Sequence, residues 1–417
     1  MNPAVSVLLW TVYLLSLYLA VFWLLALLRG RDVFDERPKG QLRQLPLVTI
    51  AIPAHNEEAN IAATIKAALN LDWPRSKLEI IAVDHGSVDR TAKIMQSFSH
   101  SIKVLSVPRL PEQRKGAPLN AALRAARGEL FVCLDADSIP ERTALRKMVP
   151  HFQDRRVACV LPLMKVRRPR NFWQKVQWTE YLVNMFYKKL MGSLDAIHVA
   201  PGPFSVYRTS ALRAVGGFDS ANLTEDLEVT YRLQKAHYKI VQLLGVKVAT
   251  KTPRGFAALY AQRKRWFKGA LLSTLRHREM LLNRAYGDFG LVALPTVLLS
   301  AFLSLTLLAT TAYYSLRPHI DFLRHISLVD FDFLTFIRNL SLNLHALDLN
   351  WVLLFSSAVM LAISITIVLL TRSRTRHRLM VGRAWHAFAF FFVYYYLIMG
   401  LAWLGVAVDL LLRRMRW

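Results

Sequence analysis

Four long stretches of this chain carry no charged residue: Ala4–Leu28, Phe289–Leu316, Trp351–Thr371 and Trp385–Val408. A helix needs ~20 mostly apolar residues to span a bilayer, and all four stretches are long enough. They divide the chain into an N-terminal transmembrane helix (1–29), a charged linker (30–47), a polar middle domain (48–285) and a C-terminal transmembrane region of about three helices (286–417). The first stretch is too long for a signal-peptide core, and no small-residue cleavage site follows it. It reads as a retained helix.

Lys and Arg set the orientation. No basic residue precedes the first stretch, whereas Arg29, Arg31, Arg37, Lys39 and Arg43 follow it. The positive-inside rule therefore puts the amino terminus outside and the middle domain in the cytosol. The loop bearing Arg372, Arg374, Arg376, Arg378 and Arg383 also fits a cytosolic position. Four full crossings would leave Arg413, Arg414 and Arg416 outside, against the rule. Either the last stretch does not cross fully, or 317–350 contributes a partial crossing or an interfacial helix.

The formal charge of +26, in a chain that is 54% hydrophobic, needs little else. A cationic cytosolic surface is favoured beside an anionic leaflet. No nucleic-acid-binding module is present, and the apolar runs argue against a nucleic-acid partner. Cys133 and Cys159, the two cysteines, lie in apolar segments without zinc-ligand spacing and read as reduced core residues.

Within the middle domain, apolar runs and helical patterns alternate. Strands are expected at Val48–Ala54, Glu79–Val83, Ile102–Val107, Leu130–Leu134, Val157–Val166 and Pro203–Tyr207. Helices are expected at 57–69, after Ser87 or Asp89 as N-cap, and at 118–126, 171–191, 225–236 and 255–280. Such alternation implies an α/β domain with a mostly parallel sheet covered on both faces. The aromatic residues of 171–191, with Lys175, Lys188 and Lys189, fit either an amphipathic helix at the membrane surface or a helix packed on the sheet.

The chemistry concentrates at strand ends. The strand Leu130–Leu134 runs into Asp135-Ala136-Asp137. Ligands of open α/β sheets bind outside the carboxyl ends of the strands, and carboxylates with substrate phosphates are a usual home for Mg²⁺ or Mn²⁺. Strict alternation would point the two carboxylates to opposite faces, so a turn is expected there. Asp84, at the end of another strand, could bond a base or ribose, and Lys115 offers a cation for phosphate. Thr224-Glu225-Asp226 opens a helix; its acids suit the helix dipole or, beside a metal–diphosphate site, a general base. Gln262, Arg265 and Trp266, at i, i+3 and i+4, share one helix face and suit a diphosphate and a sugar ring.

Taken together, Pro53-Ala-His-Asn-Glu-Glu58, Asp84-His-Gly-Ser87, Lys115-Gly-Ala-Pro-Leu-Asn120, Asp135-Ala-Asp137, Gly202-Pro-Phe-Ser-Val-Tyr-Arg208, Thr224-Glu-Asp226 and Gln262-Arg-Lys-Arg-Trp266 form an ordered series. It resembles the family-2 membrane glycosyltransferases, in particular the processive synthases of hyaluronan, poly-N-acetylglucosamine, chitin and cellulose. The resemblance covers about 48–275. It implies a GT-A (Rossmann-like) domain against a transmembrane helical bundle. By resemblance, Asp84 contacts the nucleoside, Asp135 and Asp137 bind nucleotide and divalent metal, and Asp226, beside Glu225, is the base. Gln262 and Arg265 would contact the diphosphate, and Trp266 would stack on the acceptor sugar. Most members have Asp-Asp-Gly-Ser where this chain has Asp84-His85-Gly86-Ser87, and UDP is the default donor nucleotide.

The expected protein is an inverting hexosyltransferase of the plasma (inner) membrane, with a cytosolic catalytic domain and a requirement for Mg²⁺ or Mn²⁺. It would extend a polysaccharide and pass it through the bundle. The alternatives are transfer of one sugar to a lipid such as a polyprenyl phosphate or ceramide, and a non-enzymatic nucleotide-binding assembly subunit. Membrane lipids are expected partners, and an accessory subunit is left open.

Overall fold

The computed structural model describes residues 3–29, 34–38, 44–110, 114–328 and 381–413, with single positions between 355 and 369. The third apolar stretch, apart from those positions, and most of the basic loop after it lie outside the described residues.

Eight strands form one sheet: β1 Val48–Ala54, β2 Leu78–Asp84, β3 Lys103–Ser106, β4 Leu130–Cys133, β5 Ile139–Pro140, β6 Val157–Val166, β7 Ser205–Arg208 and β8 Lys239–Thr250, in spatial order 3-2-1-4-7-6-8-5. Strands β3, β2, β1 and β4 are parallel, as is the pair β6 and β8, while β7 and β5 run antiparallel to their neighbours. The sheet is thus mixed. Its amino-terminal half matches the parallel arrangement that strand–helix alternation implies. The twelve-residue β8 is the longest element missing from the sequence-based expectation, because Lys239, Gly245 and Lys247 interrupt its apolar pattern; the short β5, α5 (Ala144–Met148) and α7 (Thr209–Ala214) are missing from it too.

Period-two alternation places each strand's side chains on two covered faces. Ile50, Ile52, Leu130 and Val132 pack against Ile61 and Ile65 of α2 (Ile61–Leu69) and Leu145 and Met148 of α5 (Ala144–Met148). Ala51, Phe131 and Cys133 face Leu119 and Leu123 of α4 (Gly116–Ala125), Phe186 and Leu190 of α6 (Phe172–Ser193), and Leu227 of α8 (Glu225–Lys235). The short helices α3 (Thr91–Gln96) and α7 (Thr209–Ala214) complete the layers. Both cysteines are buried as free thiols.

Of the two readings of the 171–191 segment, packing on the sheet is the one observed. Helix α6 lies against β6 and β8, and Lys188 and Lys189 are 8% and 7% exposed rather than facing outward. The segment Phe34–Pro38, expected as linker, is docked. Phe34 stacks on Phe186 at 5.5 Å. The Glu36 carboxylate accepts hydrogen bonds from the backbone N–H groups of Leu244 (2.5 Å) and Gly245 (2.7 Å), and pairs with Lys189 at 3.2 Å.

Outside the sheet, α1 (Pro3–Arg29), α9 (Phe256–Arg276), α10 (Leu294–Ser327) and α11 (Val381–Leu411) are the long helices. Two segments, Phe289–Arg324 and Trp385–Leu411, are long and apolar enough to cross a membrane, and Trp10–Ala26 is a shorter apolar helix. Both ends of α11 rest on helices attached to the sheet domain. His386 stacks on Phe172 of α6 at 5.9 Å, and Asp409 bonds Lys264 and Lys268 of α9 at 2.8 and 3.2 Å.

Candidate functional site

Strand β4 stops at Cys133, and the chain turns through Ala136 and Asp137. The turn is closed by the Ser138 N–H donating to the Asp135 carbonyl at 3.0 Å. It brings both carboxylates to the carboxyl edge of the sheet, as two acids one residue apart require if they are to serve one ligand. Their surroundings differ. Asp135 forms an ion pair with Lys115, which also lies 3.5 Å from Glu225 of α8. Among the described residues, Asp137 receives hydroxyls alone, on its Oδ1, from Ser138 at 3.1 Å and Thr250 at 3.3 Å. Burial, and then the negative charge of Asp135, push its carboxyl up to about 6.

Gly202 lies directly over this pair. A Cβ at this position would meet the Lys115 ammonium and both Asp135 oxygens, so any larger residue would have to displace the ends of these two side chains.

Helix α8 brings its first-turn acids to the same edge. Glu225 is 5% exposed; burial raises its carboxyl above the ordinary range, against the pull of Lys115. Asp226 is half-buried and uses Oδ1 to accept the Leu227 N–H at 2.9 Å. Thr224 occupies the N-cap position without a side-chain cap bond; its hydroxyl lies 3.4 Å from Asn222 Oδ1 instead. Helix α9 can approach α8 because Gly269 packs directly on the Thr224 side chain.

A cavity of about 550 Å³ opens between these elements, lined by His55, Glu57, His85, Arg109, Arg114, Lys115, Asp135, Asp137, Glu225 and Arg265 among others. Of the residues singled out from sequence, Lys115, Asp135, Asp137, Glu225 and Arg265 therefore share one space. Asp226, Gln262 and Trp266 are not among the residues that line it, and all three are partly exposed. The Gln262 carboxamide oxygen accepts from Arg263 at 2.6 Å, and Trp266 packs near Leu163, Tyr181 and Leu244. Asp84 is also off the wall: it is 5% exposed, and its carboxylate lies 3.3 Å from the Ser87 N–H as a turn cap. In its place His85 lines the cavity beside Arg109. Burial and Arg109 lower its imidazole below the ordinary value. The helix after β2 begins at Thr91 with Arg90 as N-cap, rather than with Ser87 or Asp89.

Sequence reasoning missed Arg109, Arg114, His55, Glu57, Lys188 and Arg263. Arg109 and Arg114 sit in a stretch without strand or helix pattern, so nothing local marked them. His55 and Glu57 lie in the quoted stretch after β1, and their place at a strand end was the available signal. Lys188 is pulled down to about 8 by burial, which the charge of Asp226 opposes.

The fit of a divalent ion can be judged from Asp137. Its elevated carboxyl is disfavoured as an anion by burial and by the charges of Asp135 and Glu57. A hard cation at this point would relieve all three. Among the described residues no group of three or more His, Cys, Asp or Glu side chains forms a closed metal site. One or two carboxylates plus substrate phosphates is the habit of Mg²⁺, so the residues present fit such an ion.

Residues 49–216 match the family model described as glycosyl transferase family 2. The chain is 30% identical over 247 residues to a beta-monoglucosyldiacylglycerol synthase of Nostoc sp., covering 58% of this chain and 53% of that protein. It is 28% identical over 235 residues to a poly-beta-1,6-N-acetyl-D-glucosamine synthase of Staphylococcus epidermidis, covering 55% and 56%. The matched stretch thus spans about half the length of these curated relatives. A solved mannosyltransferase from Pyrobaculum calidifontis, in complex with GDP-Man and Mn²⁺, superposes with a TM-score of 0.58 at 19% identity, over 97% of this chain and 99% of that one. The fold is GT-A, with the family 2 match running from β1 through α7.

Proposed function

We propose that this protein is an inverting glycosyltransferase that moves a sugar from a nucleotide-sugar, with UDP as the default nucleotide, to an acceptor hydroxyl held at a membrane. The observation that carries it is Lys115, which pairs with Asp135 on one side and lies 3.5 Å from Glu225 on the other. Strand-end carboxylates and first-turn acids thereby face each other across one cavity.

Asp137, with Asp135, would hold Mg²⁺ or Mn²⁺, which supplies charge neutralisation for the departing diphosphate. Lys115 and Arg265 present cations to the same phosphates, fixed in advance of the reaction. Asp226 takes the proton from the acceptor hydroxyl while that oxygen attacks the anomeric carbon. The bond from that carbon to the phosphate oxygen breaks, and its electron pair leaves with the nucleoside diphosphate. Gln262 orients the diphosphate and Trp266 the acceptor ring. Attack from the face opposite the leaving group inverts the anomeric centre.

The preferred product is a growing polysaccharide, supported by the similarity to a poly-beta-1,6-N-acetyl-D-glucosamine synthase and by the indole of Trp266, a side chain that suits stacking on a sugar already added. Transfer to a lipid is the second reading, supported by the similarity to a beta-monoglucosyldiacylglycerol synthase. The docking of both α11 ends on α6 and α9 supports a topology in which the last apolar stretch does not cross fully, so that Arg413 stays on the cytosolic side.

The test supplies purified full-length protein in detergent with Mn²⁺, labelled UDP-glucose, UDP-N-acetylglucosamine or GDP-mannose, and either diacylglycerol or a β-1,6-linked N-acetylglucosamine oligosaccharide. Release of nucleoside diphosphate with a high-molecular-weight product is expected. A single-sugar lipid would overturn the polymer reading, and no transfer from any donor would overturn the transferase reading.

A further inference from the structure

The side chain that joins the site to the membrane helix is Arg263, which is 1% exposed. Its Nε donates to Glu180 Oε1 of α6 at 3.0 Å and to the Tyr395 hydroxyl of α11 at 3.2 Å. Its Nη2 pairs with Glu180 Oε2, and its Nη1 donates to Gln262 Oε1 at 2.6 Å. The face of the guanidinium lies 4.2 Å from the centre of the Trp266 ring. One cation therefore touches three helices and two of the residues proposed to handle diphosphate and acceptor.

Helical spacing explains why this residue and not another. On α9, positions 262, 265, 266 and 269 turn toward the catalytic side, and 263, 264, 267 and 268 toward α11. The second set is fully engaged. Phe267 stacks on Trp403 at 4.8 Å, and Lys264 and Lys268 bind Asp409. Arg263 lies at the boundary of the two faces, next to Trp266, so its fork can reach both. A lysine has no planar fork and cannot hold four partners at once. A buried ion pair is also a weak source of stability compared with apolar packing, so geometry is the better account of this one.

We propose that Arg263 is a positioning residue: it holds the Gln262 carboxamide and the Trp266 indole in register with α11, so that the acceptor side of the site is aligned by the membrane helix. This rests on the transferase reading above.

The test compares Arg263→Met, Arg263→Lys and Tyr395→Phe in the full chain. We expect kcat/KM for the acceptor that supports transfer to fall roughly 100-fold, 10-fold and threefold respectively, while affinity for UDP, or for GDP if that is the nucleotide bound, falls by no more than about threefold in any of them, the share carried by Gln262. Partial rescue by lysine separates a positioning role from bulk packing. Acceptor kinetics unchanged in all three, or losses that track nucleotide affinity and melting temperature, would overturn the proposal. Should Arg263→Met not fold, Tyr395→Phe removes a single hydroxyl and decides the matter with Arg263→Lys. A second readout needs no turnover: Trp266 emission, taken as the difference from a Trp266→Phe protein, should become about twice as quenchable by acrylamide in Arg263→Lys. If the unaltered protein transfers no sugar, the transferase reading fails, and unchanged quenching would still refute Arg263 as the holder of Trp266.

Discussion

The cavity edge at β4 and the α9–α11 seam each hold acids and bases in contact, and they balance them in opposite ways. At the seam, Arg263 is enclosed and Glu180 answers it with two oxygens, so little of the charge is left to attract a ligand. At the strand end, Lys115 answers Asp135, yet the pair keeps about 33% and 26% of its side-chain surface exposed, and Asp137 has hydroxyls alone. A buried charge costs several kcal/mol unless it is paired. The seam meets that cost internally and gains fixed geometry. The strand end leaves it partly unmet, and a metal-bound diphosphate can lower it further. Ligand-facing and positioning charges can thus be told apart by how completely their neighbours compensate them.

The sharpest challenge to that contrast is Asp226→Asn. Loss of a general base should lower kcat by about 10²–10⁴-fold, while calorimetry finds nucleotide affinity nearly unchanged. Full turnover in this protein would remove the acid side of the site from the chemistry.

Next in size is the metal. Asp137→Asn, or EDTA, should reduce turnover by about 10²–10³-fold, the scale of losing an electrostatic contact to developing charge. The raised carboxyl also sets a pH signature. Asp137 binds its proton more tightly folded (about 6) than unfolded (3.8). Metal-free protein should therefore be more stable below pH 4 with respect to this group and lose that contribution as pH rises to about 6. At pH 7 the Asn protein should melt higher than the unaltered one by about 1–3 kcal/mol equivalent. Activity should decline below about pH 6, and added Mn²⁺ should move that decline to lower pH. A melting temperature that falls on Asp137→Asn would show the strand end to be internally balanced after all.

Gly202→Ala probes the cover over Lys115 and Asp135. The added methyl should force the pair apart, at a packing cost of about 1–3 kcal/mol, and raise the donor KM by about tenfold. Donor KM measured beside the melting curve checks this. The smallest effect is expected at Glu36, which joins the entering segment to β8. Glu36→Gln should cost about 1 kcal/mol of stability with kcat unchanged in a sugar-transfer assay.

Much of the site was legible because its residues are local. Asp135 and Asp137 follow a buried run, the first-turn acids follow a helix-start signal, and Arg265 shows helical spacing. Asp84 is ambiguous for an equally local reason. An acid at a strand end can serve a ligand or cap its own turn, and the two look identical until the following residues are placed. The reversal of β7, the long β8 and the burial of Lys188 depend on contacts between segments far apart in the chain, which no window of sequence contains.

Composition and pattern by themselves determined that long apolar stretches flank a polar α/β segment, and which acids and cations follow its strands. These follow from periodicity and from the cost of placing charge in hydrocarbon. The fold alone decided that Lys115 bridges the two acid clusters, that His85 and not Asp84 lines the cavity, and that Arg263 ties Gln262 and Trp266 to α11. The first and the last rest on a few ångströms between side chains far apart in the chain, Lys115 to Glu225 and Arg263 to Glu180 and Tyr395, and the second on how one turn closes. Packing fixes such distances, and residue spacing along the chain does not.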